Sequence, residues 1–198
     1  SLEHFAVNPK LKGVRELIHD MPAVDYATSD IHTRAITKLE PLCLTYDLLL
    51  RPQHLAPALE LARQFPNQRF VIDHIAKPNI AQRQLQPWHA DILALAECEN
   101  VSCKLSGMVT EAVWKSWRAE TFRPYLEIVV EAFGTHRVMI GSDWPVCTLS
   151  GDYEATMNVV IGFTDHLSEA ERDRVLGGNA AEFYNLQSAF ADSRAAID

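Results

Sequence analysis

Asp143 stands in "MIGSDWPVC" (139–147), between the Gly141–Ser142 end of an apolar run and a tryptophan–proline stop. A carboxylate at the end of a greasy strand is costly unless it has chemistry to perform or a cation to neutralise it. The same placement recurs along the chain. Asp73 and His74 end "RFVIDHI" (69–75), and Lys77 follows in the next loop. Arg51 comes directly after "CLTYDLLL" (43–50), while Arg15 lies within "KGVRELI" (12–18), ahead of His19 and Asp20. In "NVSCKLS" (100–106), strand alternation turns Val101, Cys103 and Leu105 to one face and Ser102, Lys104 and Ser106 to the other. A carboxylate and an imidazole at equivalent strand ends suit proton transfer, and the surrounding cations suit a polar or anionic ligand.

Plainer readings exist for each. Asp143 could cap the segment after its strand, His74 could be a satisfied core histidine, and Arg15, Arg51, Lys77 and Lys104 could belong to structural ion networks. Clustering at one edge favours a site, with Asp143 and His74 as its centre. Trp144 and Trp88 are expected to pack, and His19, His54, His89 and His136 to lie at the surface or at helix edges. Cys147 falls near the site but has no adjacent base to make it a nucleophile.

The elements that must position these residues follow from pattern. The five apolar segments just named, with 137–143 as the last, are rich in Val, Ile, Leu or aromatics and bounded by Pro, Gly or Asn, as strands are. Several are apolar on both faces, which fits parallel strands covered by helices. Helical spacing marks 52–65, 87–97 and 124–133, each opening with proline. Ser168 and Glu171 form a capping box, and "GGNAAEFYNL" reads as a glycine break followed by a last helix. The expected organisation is one α/β domain over 1–187 and a polar, frayed tail over 188–198. An open doubly wound sheet would carry a Gly-rich phosphate turn after an early strand, and none is present. The alternative closure is a (β/α)8 barrel, typically ~250 residues long, of which five strands are found here.

Bulk composition narrows the function. With 47% hydrophobic residues, 198 residues are enough for one substantial core. Eighteen basic against 26 acidic side chains give a net charge of −8, which argues against nucleic acid and against an anionic membrane. Cys43, Cys98, Cys103 and Cys147 show no C-x-x-C spacing, so they are expected to be reduced core thiols of a cytoplasmic protein. No run of residues approaches a membrane span.

"KGVRELIHD", "YDLLLRPQHLAPALELARQFPNQRFVIDHIAKP", "NVSCKLSGMVTEA", "RVMIGSDWPVC" and "GGNAAEFY" occur in this order from about residue 2 to residue 186. The ordered set resembles the sugar-lactone hydrolases, fuconolactonase-like, of the amidohydrolase superfamily. That resemblance implies a partial (β/α)8 TIM barrel whose strands correspond to the fourth through eighth. It implies hydrolysis of a lactone, with Asp143 activating water and His74 polarising or holding the carbonyl. Arg15, Arg51, Lys77 and Lys104 would bind the substrate. His74 and Asp143 would be ligands if a divalent metal such as zinc were used, but two ligands are too few for a zinc site. The family's first-strand H-x-H pair does not occur here, and Glu16 stands where relatives often have histidine. With three strands missing, the chain is expected to self-associate through its exposed sheet edges and to have little or no activity alone. The alternatives are a metal-dependent decarboxylase of the same superfamily and a non-catalytic remnant serving as an oligomerising domain.

Overall fold

Five short strands pair in parallel in the order in which they occur: β1 (Gly13–Glu16), β2 (Thr45–Leu48), β3 (Phe70–Ile72), β4 (Val101–Leu105) and β5 (Val138–Ile140). They come from a computed structural model that describes residues 2–186, so the tail expected over 188–198 lies outside the described residues. The helices are α1 (Leu2–Ala6), α2 (Asp30–Ile36), α3 (Leu55–Gln64), α4 (Trp88–Ala96), α5 (Met108–Glu111), α6 (Ala119–Phe133), α7 (Tyr153–Phe163), α8 (Glu169–Asp173) and α9 (Asn179–Phe183). Sequential parallel strands with helical crossovers make an arc of a (β/α) barrel, the α/β architecture the sequence predicts. Its edges are β1 and β5.

Alternation along the strands separates two faces. Tyr46, Leu48, Phe70, Ile72, Val101, Cys103, Leu105 and Val138 join the main core with side chains from α3, α4 and α6. On the opposite face the register sets Arg15 beside Asp47, Asp47 beside Val71, and Val71 beside Ser102; Lys104 and Met139 form the next pair. This concave face is the polar one, as expected for Ser102 and Lys104. Its apolar part is a separate small cluster of Val71, Met139 and Phe183. The chain's last described helix therefore crosses the inner face of the arc. Tyr184 completes the contact by donating its hydroxyl to both oxygens of Asp47, at 2.9 and 2.8 Å.

Several local expectations need correction. The strands are shorter than the apolar runs: β3 ends at Ile72, just ahead of a left-handed turn that begins at His74, and Asp143 likewise lies beyond β5. The helix predicted over 124–133 starts at Ala119, with Pro124 inside it. Burial of Phe122, two residues earlier, outweighs the single backbone bond the proline cannot make. Gly177 and Gly178 do not break the chain; Arg174–Gly178 is a π-helical turn that joins α8 to α9. Asn179 anchors that junction by donating its amide to the carbonyls of Thr135 and Val138, at 2.7 and 2.6 Å. Helices α2 and α7 have no counterpart in the sequence reading; Ser29 and Asp152 cap them. The Ser168–Glu171 capping box forms as expected. All four cysteines are free, but Cys43 is exposed at a left-handed corner rather than buried.

The Tyr184 hydroxyl satisfies a carboxylate at the middle of the sheet, so its loss should be felt globally. Tyr184→Phe should destabilise the fold by about 1.5–3 kcal/mol in a urea titration, the range for a hydrogen bond to a charged group. An unchanged midpoint would mean that α9 is not fastened at this point.

Candidate active site

Directly after β3 the backbone makes an unusual turn. His74, Ile75, Ala76 and Lys77 are four consecutive non-glycine residues with left-handed φ, at 55°, 46°, 59° and 50°. Each such residue costs about 1–2 kcal/mol relative to ordinary backbone. What offsets this is burial of Ile75 and Ala76, the backbone bond from Lys77 N to His74 O at 2.8 Å, and the Trp88 indole donating to Ile75 O at 2.7 Å. Trp88 thus packs, as predicted. The turn brings His74 and Lys77 to the strand-end rim.

His74 is held between strands. Ser106, just past β4, places its Oγ 2.8 Å from His74 Nδ1, and His74 Nε2 lies 3.3 Å from Asp143 Oδ1. Room for this grouping depends on two glycines. A Cβ at Gly107, whose φ is +64°, would come within 2.5 Å of His74 Cβ, and one at Gly141 within 3.1 Å of Ser106 Cβ. Burial is the largest influence on His74 and lowers its imidazole to about 4. Asp73 acts against the fall, while Lys77, Lys104 and Arg15 add to it. The ring is therefore neutral at pH 7, and its neighbours suit one tautomer, with Nε2–H toward the Asp143 carboxylate and Nδ1 accepting from Ser106. Asp143, itself at φ 55°, has its carboxyl raised by burial, opposed by Lys77 and Arg15 and assisted by Asp73 and Glu111. Its Oδ2 is buried without a hydrogen-bond partner in the protein.

Beside this pair runs a chain of alternating charges. The Asp73 side chain is 1% exposed and meets Arg15 at 3.1 Å and Lys104 at 2.7 Å. Lys104 also binds Asp47 at 2.5 Å. Burial works upward on the Asp73 carboxyl, yet Lys104, His74 and Arg15 together hold it below the ordinary carboxylate range. Burial likewise raises Asp47, with Lys104 opposing it.

The structure thus brings together Asp143, His74, Lys77, Lys104 and Arg15, whose charges all act on the His74–Asp143 pair. Lys104 is engaged by two carboxylates, and Lys77 by Glu111 at 3.1 Å. Arg51 is further out, on the exposed rim of a cleft that Lys77 and Glu111 also line. Among the described residues no three His, Cys, Asp or Glu side chains are grouped to hold a metal ion. His74 and Asp143 come together as the two possible donors, short of the three protein ligands of a catalytic zinc.

Trp144 is 65% exposed rather than packed, and His54 is buried, accepting the Arg51 amide at its Nδ1. His19 is half-buried near Arg51 and Lys77, so it is not simply a surface histidine. Sequence reasoning placed Asp73 at a strand end and Ser106 on the inner face without giving either a role. Asp47, Glu111 and Tyr184 it missed. Asp47 had a signal, a lone carboxylate in the apolar strand 43–50; for Glu111 and Tyr184 the sequence offers none.

Comparisons with known proteins bear on the family and the fold. A sequence model described as Amidohydrolase matches residues 1–186. An L-fucono-1,5-lactonase from Burkholderia ambifaria is 38% identical over 197 residues, covering 96% of this chain and 67% of the relative. A second L-fucono-1,5-lactonase, from Burkholderia multivorans, is 35% identical over 93% of this chain and 66% of its own length. A crystal structure of an amidohydrolase from Burkholderia multivorans with bound zinc superimposes with a TM-score of 0.87 at 32% identity. It covers 93% of this chain and 69% of that one. The chain spans about two thirds of the length of these relatives.

The buried neutral imidazole makes stability depend on pH. Unfolded, His74 takes a proton near 6.5; folded, only near 4. Between these values the unfolded chain binds more protons, so stability should fall by about 3 kcal/mol as pH drops from 6.5 to 4. His74→Asn, which tolerates the left-handed backbone, should flatten that part of the curve in urea titrations at stepped pH.

Proposed function

The chain belongs to the amidohydrolase family, and from that premise we propose that it carries the general base and much of the binding surface of a lactone hydrolase. The substrate is a sugar lactone or a related cyclic ester. One observation carries this reading: Asp143 Oδ2 is buried, unpartnered and beside a neutral histidine at a strand-end rim. The two lactonases similar to this chain support the same reaction class.

The chemistry follows from the side chains. Asp143 Oδ2 takes a proton from water as the water oxygen attacks the lactone carbonyl. A carboxyl raised by burial is a better base than an exposed one, and the protein leaves that oxygen uncommitted. His74, fixed by Ser106 at one nitrogen, keeps Asp143 oriented through the other and stands beside the carbonyl position. Negative charge develops on the carbonyl oxygen, and the positive ends of Arg15 and Lys77 stabilise it. As the ring C–O bond breaks, Asp143 returns its proton to the leaving alkoxide, giving a hydroxy acid that ionises to its carboxylate. Lys77 and Arg51 face the cleft that would hold the substrate, whereas Lys104 acts through the charges it balances on Asp73 and Asp47. A structural relative was crystallised with zinc. Among the described residues, His74 and Asp143 are two donors, short of the three protein ligands such a site needs.

Self-association belongs to the same reading. β1 and β5 each present an unpaired strand edge, and exposed apolar side chains follow both: Leu17 and Val24 after β1, Trp144, Val146 and Leu149 after β5. Such edges pair with other chains unless they are covered.

Asp143→Asn should abolish whatever lactone hydrolysis the chain shows in a pH-indicator assay, leaving assembly unchanged; retention of wild-type turnover removes Asp143 from the role of base. In sedimentation velocity the wild-type chain should shift to larger species as its concentration rises. A monomer at every concentration would contradict edge pairing.

A further inference from the structure

The cleft beside the proposed base is about 390 Å³ and is built from the loops after β2, β3 and β4. Its lining is polar: Arg51, Lys77 and Glu111 with the amides of Gln84 and Gln86, against a wall formed by Trp88. Lys77 and Glu111 pair at 3.1 Å with both side chains mostly buried, and both charges act on Asp143. Lys77 and Glu111 therefore link the cleft they line to the base their charges reach.

Resting on the lactonase reading, we infer that the Lys77–Glu111 pair is a clamp for two neighbouring hydroxyls of the substrate, with Glu111 as the specificity-determining residue. The pair has hydrogen-bonding capacity to spare. Lys77 Nζ has three N–H groups, and the one bond found for it goes to Glu111 Oε1. The Glu111 carboxylate has further lone pairs beyond that bond. Two adjacent hydroxyls match this arrangement, one accepting from the ammonium and the other donating to the carboxylate, each a charge-assisted bond. A lactone without hydroxyls would cover the pair and leave that capacity unfilled. Sites built to hydrogen-bond a hydroxyl reject analogues lacking it for this reason. An aliphatic or aromatic lactone makes neither of these two bonds with the pair.

A purely structural role is the competing explanation, since the pair also ties the turn after β3 to α5. Substrate discrimination separates the two. Kinetics of wild type, Glu111→Gln and Glu111→Asp are compared on L-fucono-1,5-lactone and on δ-valerolactone, which carries no hydroxyls. With Glu111→Gln, kcat/KM for the sugar lactone should fall about 10–100-fold, chiefly through KM. Any loss on δ-valerolactone, through the charge Glu111 exerts on Asp143, should be at least tenfold smaller, and Glu111→Asp should recover part of the sugar-lactone loss. An equal fall on both lactones makes Glu111 a brace and overturns the clamp. If the five-stranded chain hydrolyses neither lactone alone, as its partial barrel leads one to expect, binding decides instead. The clamp is then judged by titrating the ¹⁵N-labelled chain with L-fuconate and with 5-hydroxypentanoate. Shifts at Lys77 and Glu111 with L-fuconate alone, weakened at least 10-fold in Glu111→Gln, support it; their absence refutes it.

Discussion

A single buried carboxylate, that of Asp73, organises the concave face. Almost no water reaches it, so two cations must stand against it, Arg15 from β1 and Lys104 from β4. Lys104 then needs a second anion, which β2 supplies as Asp47, and Asp47 takes the Tyr184 hydroxyl from the segment ending α9. One requirement for neutrality thus ties four of the five strands and the end of the described chain across a face with little apolar surface. Removing one member of such a network leaves an uncompensated charge, a loss of about 3–5 kcal/mol, although the intact network itself adds little net stability. Its value here is geometric, because Asp73 immediately precedes His74.

The turn that follows converts this anchored position into a reactive one. A strand continuing past Asp73 would send His74 to the helix-covered face by alternation. Four left-handed residues redirect it to the rim, where Ser106 and Asp143 meet its two nitrogens. The strain is local and is held by buried neighbours. Backbone held in this way is commonly found where function demands a fixed side chain.

Polar side chains at the ends of apolar runs made Asp143, His74 and Lys77 legible from sequence, and alternation made the inward face of Lys104 legible. The five-strand arc was legible for the same reason. Pairings were not. Whether Lys104 is a free cation or a neutralised one depends on register, which places Asp47 two strands away, and register is absent from the linear pattern. Glu111 sits in a one-turn helix with too few residues to show a period. Trp144 looked like core because large aromatics usually are, yet it follows a left-handed residue that turns the chain outward. The strand ends were overestimated because nothing in "DHIAK" announces left-handed backbone: no glycine or asparagine occurs there.

The packing of His74 and Ser106 against Gly107 and Gly141 also bears on how this sequence can drift. Gly107 is held whatever smaller side chain replaces His74, since the atom nearest its own Cβ would be the Cβ that every residue but glycine carries at 74, and its φ of +64° strains any side chain. Gly141 is held less tightly, because Ser106 needs to give only a few tenths of an ångström to admit a Cβ there. The two glycines therefore differ in heritable freedom: position 107 is fixed by its own backbone, position 141 only by its neighbour.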